Sequence, residues 1–294
     1  MTDVDSQRPG PRSRARGSLW MLLAALCFTG MGVLVKLALR RHGTLEVLFY
    51  RSLVAVLWFS PMLIVRGRDA LATPHRRAHV ERALAGLSSL ALFYVAIGRM
   101  ALGAATVLNY TSPLFMALLS ALVLGDRLRP LAVAAVATGF AGVAVLVRPG
   151  FPQGGDLAPW AALASGFLAG VSALTVRRLG RLGEPAWRVV FYLALISALA
   201  AAAGIVATGG LRPLTVAGAA LLAGVGVFDL GAQLAMTRAY REGDTLTVGS
   251  LSYLTVVFTS LAGIALWNEL PSGLSWAAMG VIVVSGVVTG LASQ

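Results

Sequence analysis

VLNYTSPLF, residues 107–115, and SLSYLTVVF, residues 250–258, are two copies of one pattern that lie 143 residues apart. The offset places Tyr110 on Tyr253, and both stretches lie inside long apolar runs. Weaker matches follow at nearly the same spacing through the rest of the chain. An ordered set of such matches predicts that the chain consists of two structurally related halves.

Composition places both halves in a membrane. The 294 residues are 57% hydrophobic and 12% charged, with a mean hydropathy of +0.80, which leaves too little polar surface to cover a soluble globule. Apolar runs of about 20 residues, enough to span the hydrocarbon core as a helix, recur to the C-terminus. They do not alternate apolar and polar positions as the strands of a membrane barrel do. The predicted fold class is therefore an all-α membrane protein, with the lipid bilayer as its first partner.

Turn and breaker residues divide the apolar runs into ten transmembrane helices. The predicted spans are residues 18–39, 46–65, 79–98, 102–124, 130–148, 157–177, 187–208, 214–237, 245–267 and 274–292. The predicted organisation is a basic cytoplasmic tail at 1–17, a first five-helix repeat at 18–148, an outer linker at 149–156 and a second repeat at 157–292.

The basic residues orient the bundle, because connections on the cytoplasmic side retain Lys and Arg. With the N-terminus inside, 17 of the 24 Lys and Arg residues fall on the inner side and seven on the outer side. Both termini are therefore predicted to be cytoplasmic. Arginine greatly outnumbers lysine, which is typical of a GC-rich bacterial genome, so the predicted location is a bacterial inner membrane. Five spans is an odd number, so the second half enters the membrane from the opposite side. The two halves are predicted to form an inverted repeat.

The sequence lacks the signals of soluble enzymes and of nucleic-acid binding. It holds no P-loop, no GxGxxG after a strand, no HExxH and no GxSxG, so we expect neither an enzyme nor a cofactor. The net charge of +12 is spread over short connections without a continuous basic patch, which argues against a nucleic-acid partner. Cys27 is the single cysteine, and His75 and His79 lie in a basic connection predicted to be a solvated helix start, so no metal site is expected.

The segments that close each half resemble a known family. LGDRLRPLAVAAVATGFAGV at 124–143 and WNELPSGLSWAAMGVIVVSGV at 267–287 each join an acidic turn to a helix rich in small residues. LNYTSPLFMALLSALVLGDRL, at 108–128, carries a proline within the fourth span. In these features the chain resembles the EamA-domain branch of the drug/metabolite transporter superfamily. The resemblance implies ten spans in two repeats and a transport function, and it leaves the substrate open. Asp126 and Asn268-Glu269 depart from the family's usual Gly-Glu pair.

FDLGAQLAMTRAY, at 228–240, places a carboxylate inside the eighth span. A charged residue at mid-bilayer costs about 2.5 to 3.5 kcal/mol, so it usually faces a cavity or a partner. Helical spacing puts Gln233, Met236 or Thr237, and Tyr240 on the same face as Asp229. We predict that this face is a polar pathway in which Asp229 binds substrate or takes up and releases a proton. The alternative is a protonated aspartate that is hydrogen-bonded to a neighbouring helix and has no transport role.

A second polar stripe follows the repeat-related fourth and ninth spans. Asn109 and Ser252 occupy equivalent positions near the predicted axis, and Pro113 removes an amide donor that would reach the carbonyl of Asn109. Pro113 is therefore a candidate helix break or gate, and helix packing of small residues is the alternative for the stripe. Four aromatic residues are candidates to wall an amphipathic substrate, with core packing as their alternative. They are Tyr110, Tyr253, Tyr94 and Phe93.

Lys36 and Arg51 lie near the outer ends of the first two spans. Snorkelling to the membrane interface explains both. The alternative is that they draw an anionic group, such as a carboxylate, to the pathway, and Lys36 is a candidate pathway residue on that basis. Five glycines are predicted to permit close helix contact, within one protomer or across a homodimer. They are Gly139, Gly142, Gly280, Gly286 and Gly290.

These features together predict a secondary-active transporter that moves a small polar or amphipathic metabolite by alternating access. Export of an amino acid or a related compound is the favoured interpretation, because the resembled family is rich in exporters. Uptake of a vitamin or nucleoside-like metabolite and export of an amino-acid-derived metallophore are alternatives within the same class. A membrane-embedded transferase is the alternative from a different class.

Overall fold

The computed structural model of the chain describes residues 11–67, 71–124, 129–147, 157–242 and 245–292. Within these ranges the chain is helical, with no strand. The helices are α1 (Pro11–Ala38), α2 (Thr44–Arg66), α3 (Arg76–Arg99), α4 (Leu102–Asn109), α5 (Ser112–Leu124), α6 (Pro130–Val147), α7 (Ala158–Arg181), α8 (Ala186–Ala207), α9 (Val216–Glu242), α10 (Thr245–Ser252), α11 (Leu254–Trp267) and α12 (Gly273–Ala292). Eight candidate spans are long and apolar enough to cross a membrane, and two shorter apolar helices cover Pro130–Leu146 and Gly273–Thr289. The protein is therefore a multi-pass helical membrane protein.

Some predicted features lie outside the described residues. The acidic turn at Asp126 and the linker at 149–156 are among them. The basic tail is described only from Pro11, where α1 already begins.

The fourth and ninth predicted spans are each divided into two helices, whereas the sequence offers a candidate break only at Pro113, in the fourth span. The first break lies between α4 and α5 at residues 110–111, where the Thr111 hydroxyl donates to the carbonyl of Leu108 at 2.6 Å. The second lies between α10 and α11 at Tyr253, where the Ser252 hydroxyl donates to the carbonyl of Gly249 at 2.6 Å. A hydroxyl that bonds a backbone carbonyl of the preceding turn competes with the helix ladder. Both breaks fall on the tyrosines that the sequence repeat aligns.

The two halves of the chain pack by interleaving their helices. Helix α1 of the first half lies against α9 of the second, and α3 lies against α7 in the same way. Helix α2 packs on α8, α4 on α11, and α6 on α12. Each of these contacts joins one half to the other, so the core is shared between the halves. One large cluster of buried side chains from both halves fills it.

The connections gather at two ends of the bundle, which we name by one residue each. At the Lys36 end, the α1–α2 connection and α2 meet the α8–α9 connection, where the backbone N–H of Arg212 donates to Glu46. At the Glu184 end, the α7–α8 connection meets the α2–α3 connection, where Thr73 donates to Glu184. The distribution of basic residues predicts that the Lys36 end faces outward.

Replacing Gly286 with alanine is expected to destabilise the protein by about 1 to 3 kcal/mol through overpacking. A Cβ at this position would collide with the hydroxyl of Tyr253 at the break between α10 and α11. Gly280→Ala is the matched control, since it lies on the same helix and its Cβ would meet nothing within 4 Å. Thermal unfolding of the purified protein in detergent measures both. A Gly286→Ala variant that unfolds at the temperature of Gly280→Ala would show that this contact is not tight.

Candidate functional site

A buried ion pair joins the two halves inside the bundle. The Nη2 atom of Arg51 on α2 lies 2.9 Å from Oδ2 of Asp229 on α9, and the two side chains are 5% and 7% exposed. Tyr94, on α3, is fully buried and lies within electrostatic range of both charges. A buried ion pair is costly to remove from water, so its geometry has to be good. Asp229, the residue singled out by the sequence, therefore has a partner from the other half.

Arg51 is not an interfacial side chain, so the prediction that it snorkels is wrong. It lies two turns into α2, and its guanidinium turns to the carboxylate of α9 inside the bundle. The physical reason is that α2 packs on α9, which brings an opposite charge within reach. An opposite charge at hydrogen-bond distance offsets part of the cost of removing a cation from water.

A second guanidinium, that of Arg82 on α3, is partly buried between helices. Nη1 of Arg82 occupies the space beside Gly86, where an added Cβ would collide with it. The same space is bordered by Leu193 of α8 and by the hydroxyl of Ser172 of α7. Nε of Arg82 is buried, and the described residues offer it no hydrogen-bond partner.

Lys36 is held in a network at its end of the bundle. Its Nζ forms an ion pair with Oε1 of Glu269 and donates to the carbonyl of Met100 at 2.9 Å. The second carboxylate oxygen of Glu269 accepts the N–H of Leu102, the first residue of α4, at 2.8 Å. The ring of Trp267 lies 5.2 Å from Nζ. One lysine and one glutamate therefore tie the end of α1, the start of α4 and the α11–α12 turn together.

A buried carboxylate joins the two halves elsewhere at the Lys36 end. Glu46 accepts the N–H of Gly43 at 2.7 Å and the N–H of Arg212 at 2.8 Å. Nδ1 of His42 lies 3.6 Å from the same carboxylate. Glu46 is therefore a fixed link between the α1–α2 and α8–α9 connections.

A second buried carboxylate occupies the corresponding place at the opposite end. Glu184 accepts hydrogen bonds from Thr73 and, at 2.9 Å, from Nη1 of Arg188. Nε2 of His79 lies 3.4 Å from the carboxylate, and the His79 ring stacks at 4.6 Å on that of Tyr192. The prediction that His79 is solvated is wrong, because α3 packs on both α7 and α8 and covers it. The described residues hold no group of three metal-binding side chains here or elsewhere.

Removing the charge of Glu184 by substitution with glutamine is expected to cost about 1 to 3 kcal/mol at neutral pH, because a buried acceptor of charged hydrogen bonds is lost. Burial alone would raise the pKa of Glu184, but hydrogen bonds from Thr73 and Arg188 outweigh it and hold the pKa below its ordinary value of 4.5. A lowered folded-state pKa stabilises the fold above the unfolded value. The stabilisation that the ionised Glu184 provides is therefore complete above about pH 4.5, and it is lost as the pH falls through the folded-state pKa of this carboxyl group.

Chemical unfolding of wild type and Glu184→Gln across this pH range measures the difference. Glu81→Gln is the control, because Glu81 is 42% exposed and pairs only with surface arginines. The difference between wild type and Glu184→Gln should stay constant at higher pH and shrink at acidic pH. A difference that grows on acidification would contradict the assignment.

The other predicted site residues are distributed over several contacts. Tyr110 and Tyr253 come together, with ring centroids 5.7 Å apart in an edge-on arrangement. Nδ2 of Asn109 donates to the hydroxyl of Ser165 at 2.9 Å, whereas the hydroxyl of Ser252 bonds its own helix. The two residues that the repeat aligns therefore make different contacts.

The remaining candidates lie on the faces of their helices. Pro113 is the second residue of α5, a position where a helix does not use its amide donor. Gln233 is half-buried, and its backbone carbonyl accepts a hydrogen bond from the hydroxyl of Thr237 at 2.8 Å. Thr237 and Tyr240 are exposed at the surface of the described bundle. Of the face predicted on the eighth span, Asp229 is therefore buried, and Gln233 and Met236 are half-buried.

Sequence reasoning missed Glu46, Glu184 and Arg82. A signal for the first two exists, since HGTLE at 42–46 and LGEP at 182–185 each put a glutamate beside a glycine turn that opens the second helix of a half. For Arg82 the signal is the glycine at position 86, which lies one helical turn along the same face and leaves space for a long side chain.

The fold and these buried charges define a class: a helical membrane protein built from two interleaved halves, with ionisable side chains paired inside the bundle. Such residues inside membrane spans mark transport pathways. The model of the EamA-like transporter family matches residues 15–148 and again residues 157–291. The chain belongs to the EamA-like transporter family, and it is a membrane transporter of small metabolites.

Several curated relatives cover nearly the whole chain. The pseudopaline exporter of Pseudomonas aeruginosa (strain UCBPP-PA14) is 27% identical over 269 residues, which are 92% of this chain and 94% of the relative. The riboflavin transporter of Rhizobium johnstonii is 28% identical over 278 residues, 93% of this chain and 90% of the relative. Human solute carrier family 35 member G1 is 25% identical, over 96% of this chain and 80% of its own length. A solved crystal structure, 23% identical, has the same fold with a TM-score of 0.65 over 95% of this chain and 97% of that one.

Proposed function

We propose that the protein is a secondary-active carrier of the bacterial inner membrane that exports an amino acid or a related small polar metabolite by alternating access. The observation that carries the proposal is the Arg51–Asp229 ion pair, which is buried between the halves. A charged pair inside a membrane bundle is a device for binding polar solutes and for coupling their binding to helix motion. Export is favoured because relatives include a named exporter.

The proposed architecture is ten spans in two inverted repeats, with both termini in the cytoplasm. Three observations support it. The contact between α1 and α9 has a counterpart between α3 and α7, as exchange of the halves requires. Breaks in two spans fall on the repeat-related Tyr110 and Tyr253. Glu46 and Glu184 link equivalent connections at opposite ends of the bundle.

Under this proposal, the two halves rock about a central site that includes Asp229, Gln233 and Tyr94. The aromatic pair at the helix breaks and the neighbouring Asn109 and Ser252 extend the site along the axis. Proton coupling through Asp229 is also part of the proposal. Assembly as a homodimer through glycine-rich helices also remains a proposal.

A second candidate function is transport of a vitamin such as riboflavin, and the riboflavin transporters among the relatives favour it. Export of an amino-acid-derived metallophore is a further candidate within the same class. The class is supported over an embedded transferase by the family match and by the relatives named above, which carry exporter, transporter or solute-carrier names.

Reconstitution into proteoliposomes tests the proposal. Uptake of individual radiolabelled amino acids and of riboflavin is measured with and without a pH gradient. The expected result is saturable flux of one or more amino acids that an imposed gradient accelerates. Flux of riboflavin alone would favour the second candidate, and absence of flux for every compound would contradict the amino-acid proposal.

A further inference from the structure

Arg82 is a cation within a membrane-spanning helix that lacks an anionic partner among the described residues. Arg51 is paired with Asp229, and Lys36 with Glu269. Arg82 forms no ion pair or hydrogen bond within the described part of the chain, and its Nε is buried. Buried polar groups of folded proteins are nearly always satisfied, so an exception in this position needs an explanation.

Because Gly86 has no side chain, it leaves the space that the guanidinium of Arg82 occupies. The side chain runs one turn along α3, and Nη1 lies where any other residue at position 86 would carry its Cβ. The repeat aligns Gly86 with Asp229 at an offset of 143 residues. One half therefore has a carboxylate at this position, and the other half has a guanidinium that lies over a glycine.

The surroundings of Arg82 contain further unsatisfied polar atoms. Leu193 of α8 borders the guanidinium, and Ser197 lies one turn further on the same face of α8. The Ser197 hydroxyl is fully buried and has no hydrogen-bond partner in the described residues. The Nε atom of Arg51 is likewise unsatisfied, and the charges of Arg51 and Arg82 repel each other across the interior. These donors are located on three helices that pack together, α2, α3 and α8.

The charges in this region do not balance. Arg51 is paired with Asp229, whereas the guanidinium of Arg82, which is partly exposed, has no carboxylate partner among the described residues, so its positive charge is uncompensated there. A single anionic group would neutralise the set and accept hydrogen bonds from the unsatisfied donors. A planar guanidinium matches a planar carboxylate, with which it forms two parallel hydrogen bonds.

We propose that Arg82, supported by Arg51, binds the carboxylate of the transported solute, so that this carrier selects carboxylate-bearing metabolites over neutral ones. This inference rests on the proposed transport function and narrows its substrate class. The Arg51–Asp229 pair holds Arg51 in place, and the guanidinium of Arg82 supplies the free charge. Riboflavin, which has no carboxylate, is outside the class.

Ligand-induced stabilisation of the purified protein in lipid nanodiscs tests the proposal without requiring flux. The probes are the individual protein amino acids, benzoate, succinate and riboflavin. The most strongly binding acid is then compared with its own amide. The amide is expected to bind about 10- to 100-fold more weakly, because charged hydrogen bonds to the carboxylate are lost. If no acid stabilises the wild type, or if the amide binds as tightly as the acid, the proposal is wrong.

Variants at position 82 separate charge from structure. Arg82→Gln is expected to weaken acid binding by about 10- to 100-fold and to leave amide binding unchanged. Arg82→Lys keeps the charge and should retain part of the affinity. The control is Arg99→Gln, on the same helix and exposed. Equal loss of acid and amide binding in Arg82→Gln would show a merely structural role and overturn the proposal.

A substitution beside the guanidinium provides an independent check. Gly86→Ala displaces Nη1, the flexible end of Arg82, and should weaken acid binding. In the double variant with Arg82→Gln, the alanine should weaken binding no further, because the two changes act on one contact. Additive losses would contradict the proposal.

The outcomes also separate this inference from the transport proposal. Flux of riboflavin without binding of any acid would leave a carrier and overturn only the carboxylate site. Acid binding that depends on Arg82, without flux of any probe, would overturn transport of these compounds and leave the binding site standing.

Discussion

Replacing Asp229 with alanine is expected to cost the protein about 3 to 5 kcal/mol of stability, because Arg51 would be left as an uncompensated charge inside the bundle. Nη2 of Arg51 has the Asp229 carboxylate 2.9 Å away, and both side chains are almost fully buried. Thermal unfolding in nanodiscs measures the loss. The same variant is expected to lose transport of the probe that the wild type carries.

The double variant Arg51→Met with Asp229→Leu separates the structural from the transport role of the pair. Replacing both charges with apolar side chains of similar size is often neutral or stabilising, so the double variant should unfold near the wild-type temperature. Its flux should nevertheless stay at background. A double variant that is stable and transports at the wild-type rate would show that the pair only holds the halves together.

An exposed ion pair provides the control for these variants. Arg77 and Glu81 on α3 are 94% and 42% exposed, with Nε and Oε1 2.9 Å apart. Surface pairs contribute about 0 to 1 kcal/mol. Glu81→Ala should therefore change neither the unfolding temperature nor the flux by a measurable amount. A loss like that of Asp229→Ala would mean that any charge removal disturbs this protein.

The helical membrane fold of this chain can be predicted from its sequence, because it depends on hydropathy summed over long segments and on a repeat that spans the chain. Apolar length places the helices, and the matched tyrosines at 110 and 253 identify the two halves. The helix breaks at these tyrosines are less predictable, since the second lacks a proline. There the hydroxyl of Ser252 competes for a backbone carbonyl. The average hydropathy of a span does not reveal such a single hydrogen bond.

It is harder to predict which residues pair within the candidate site, because this depends on which helices are in contact and on how far along their axes the side chains lie. The cost of a carboxylate in an apolar span singles out Asp229, but nothing in the neighbouring sequence indicates that Arg51 is its partner. The sequence also places Arg51 at the membrane interface wrongly, because its position along the helix does not show in which direction its side chain points. Glu184 illustrates the opposite case: a glutamate beside a turn looks solvated until the α2–α3 connection covers it.

Neutralising Glu269 by substitution with glutamine is expected to open the Lys36 end of the bundle. Glu269 pairs with Lys36 and accepts the N–H of Leu102, so it holds α1, α4 and the α11–α12 turn together. A lost charged hydrogen bond shifts the equilibrium between closed and open forms by about 1.5 to 3 kcal/mol. That shift corresponds to an increase of about tenfold or more in the population of the open form.

Thiol labelling measures this opening. Met31 is buried on α1, below Lys36, and Met31→Cys in a Cys27→Ser background serves as the reporter. A membrane-impermeant maleimide added from the Lys36 side should react about tenfold faster when Glu269→Gln is present. Lys36→Met should give the same acceleration, and the double variant should add little, because both changes break one contact.

Two results would contradict the role of this pair as a closure. The first is an unchanged labelling rate in both single variants. The second is equal acceleration by Glu81→Gln, which removes an exposed carboxylate outside the network. Acceleration by Glu269→Gln and Lys36→Met alone would assign closure of this end to one lysine and one glutamate.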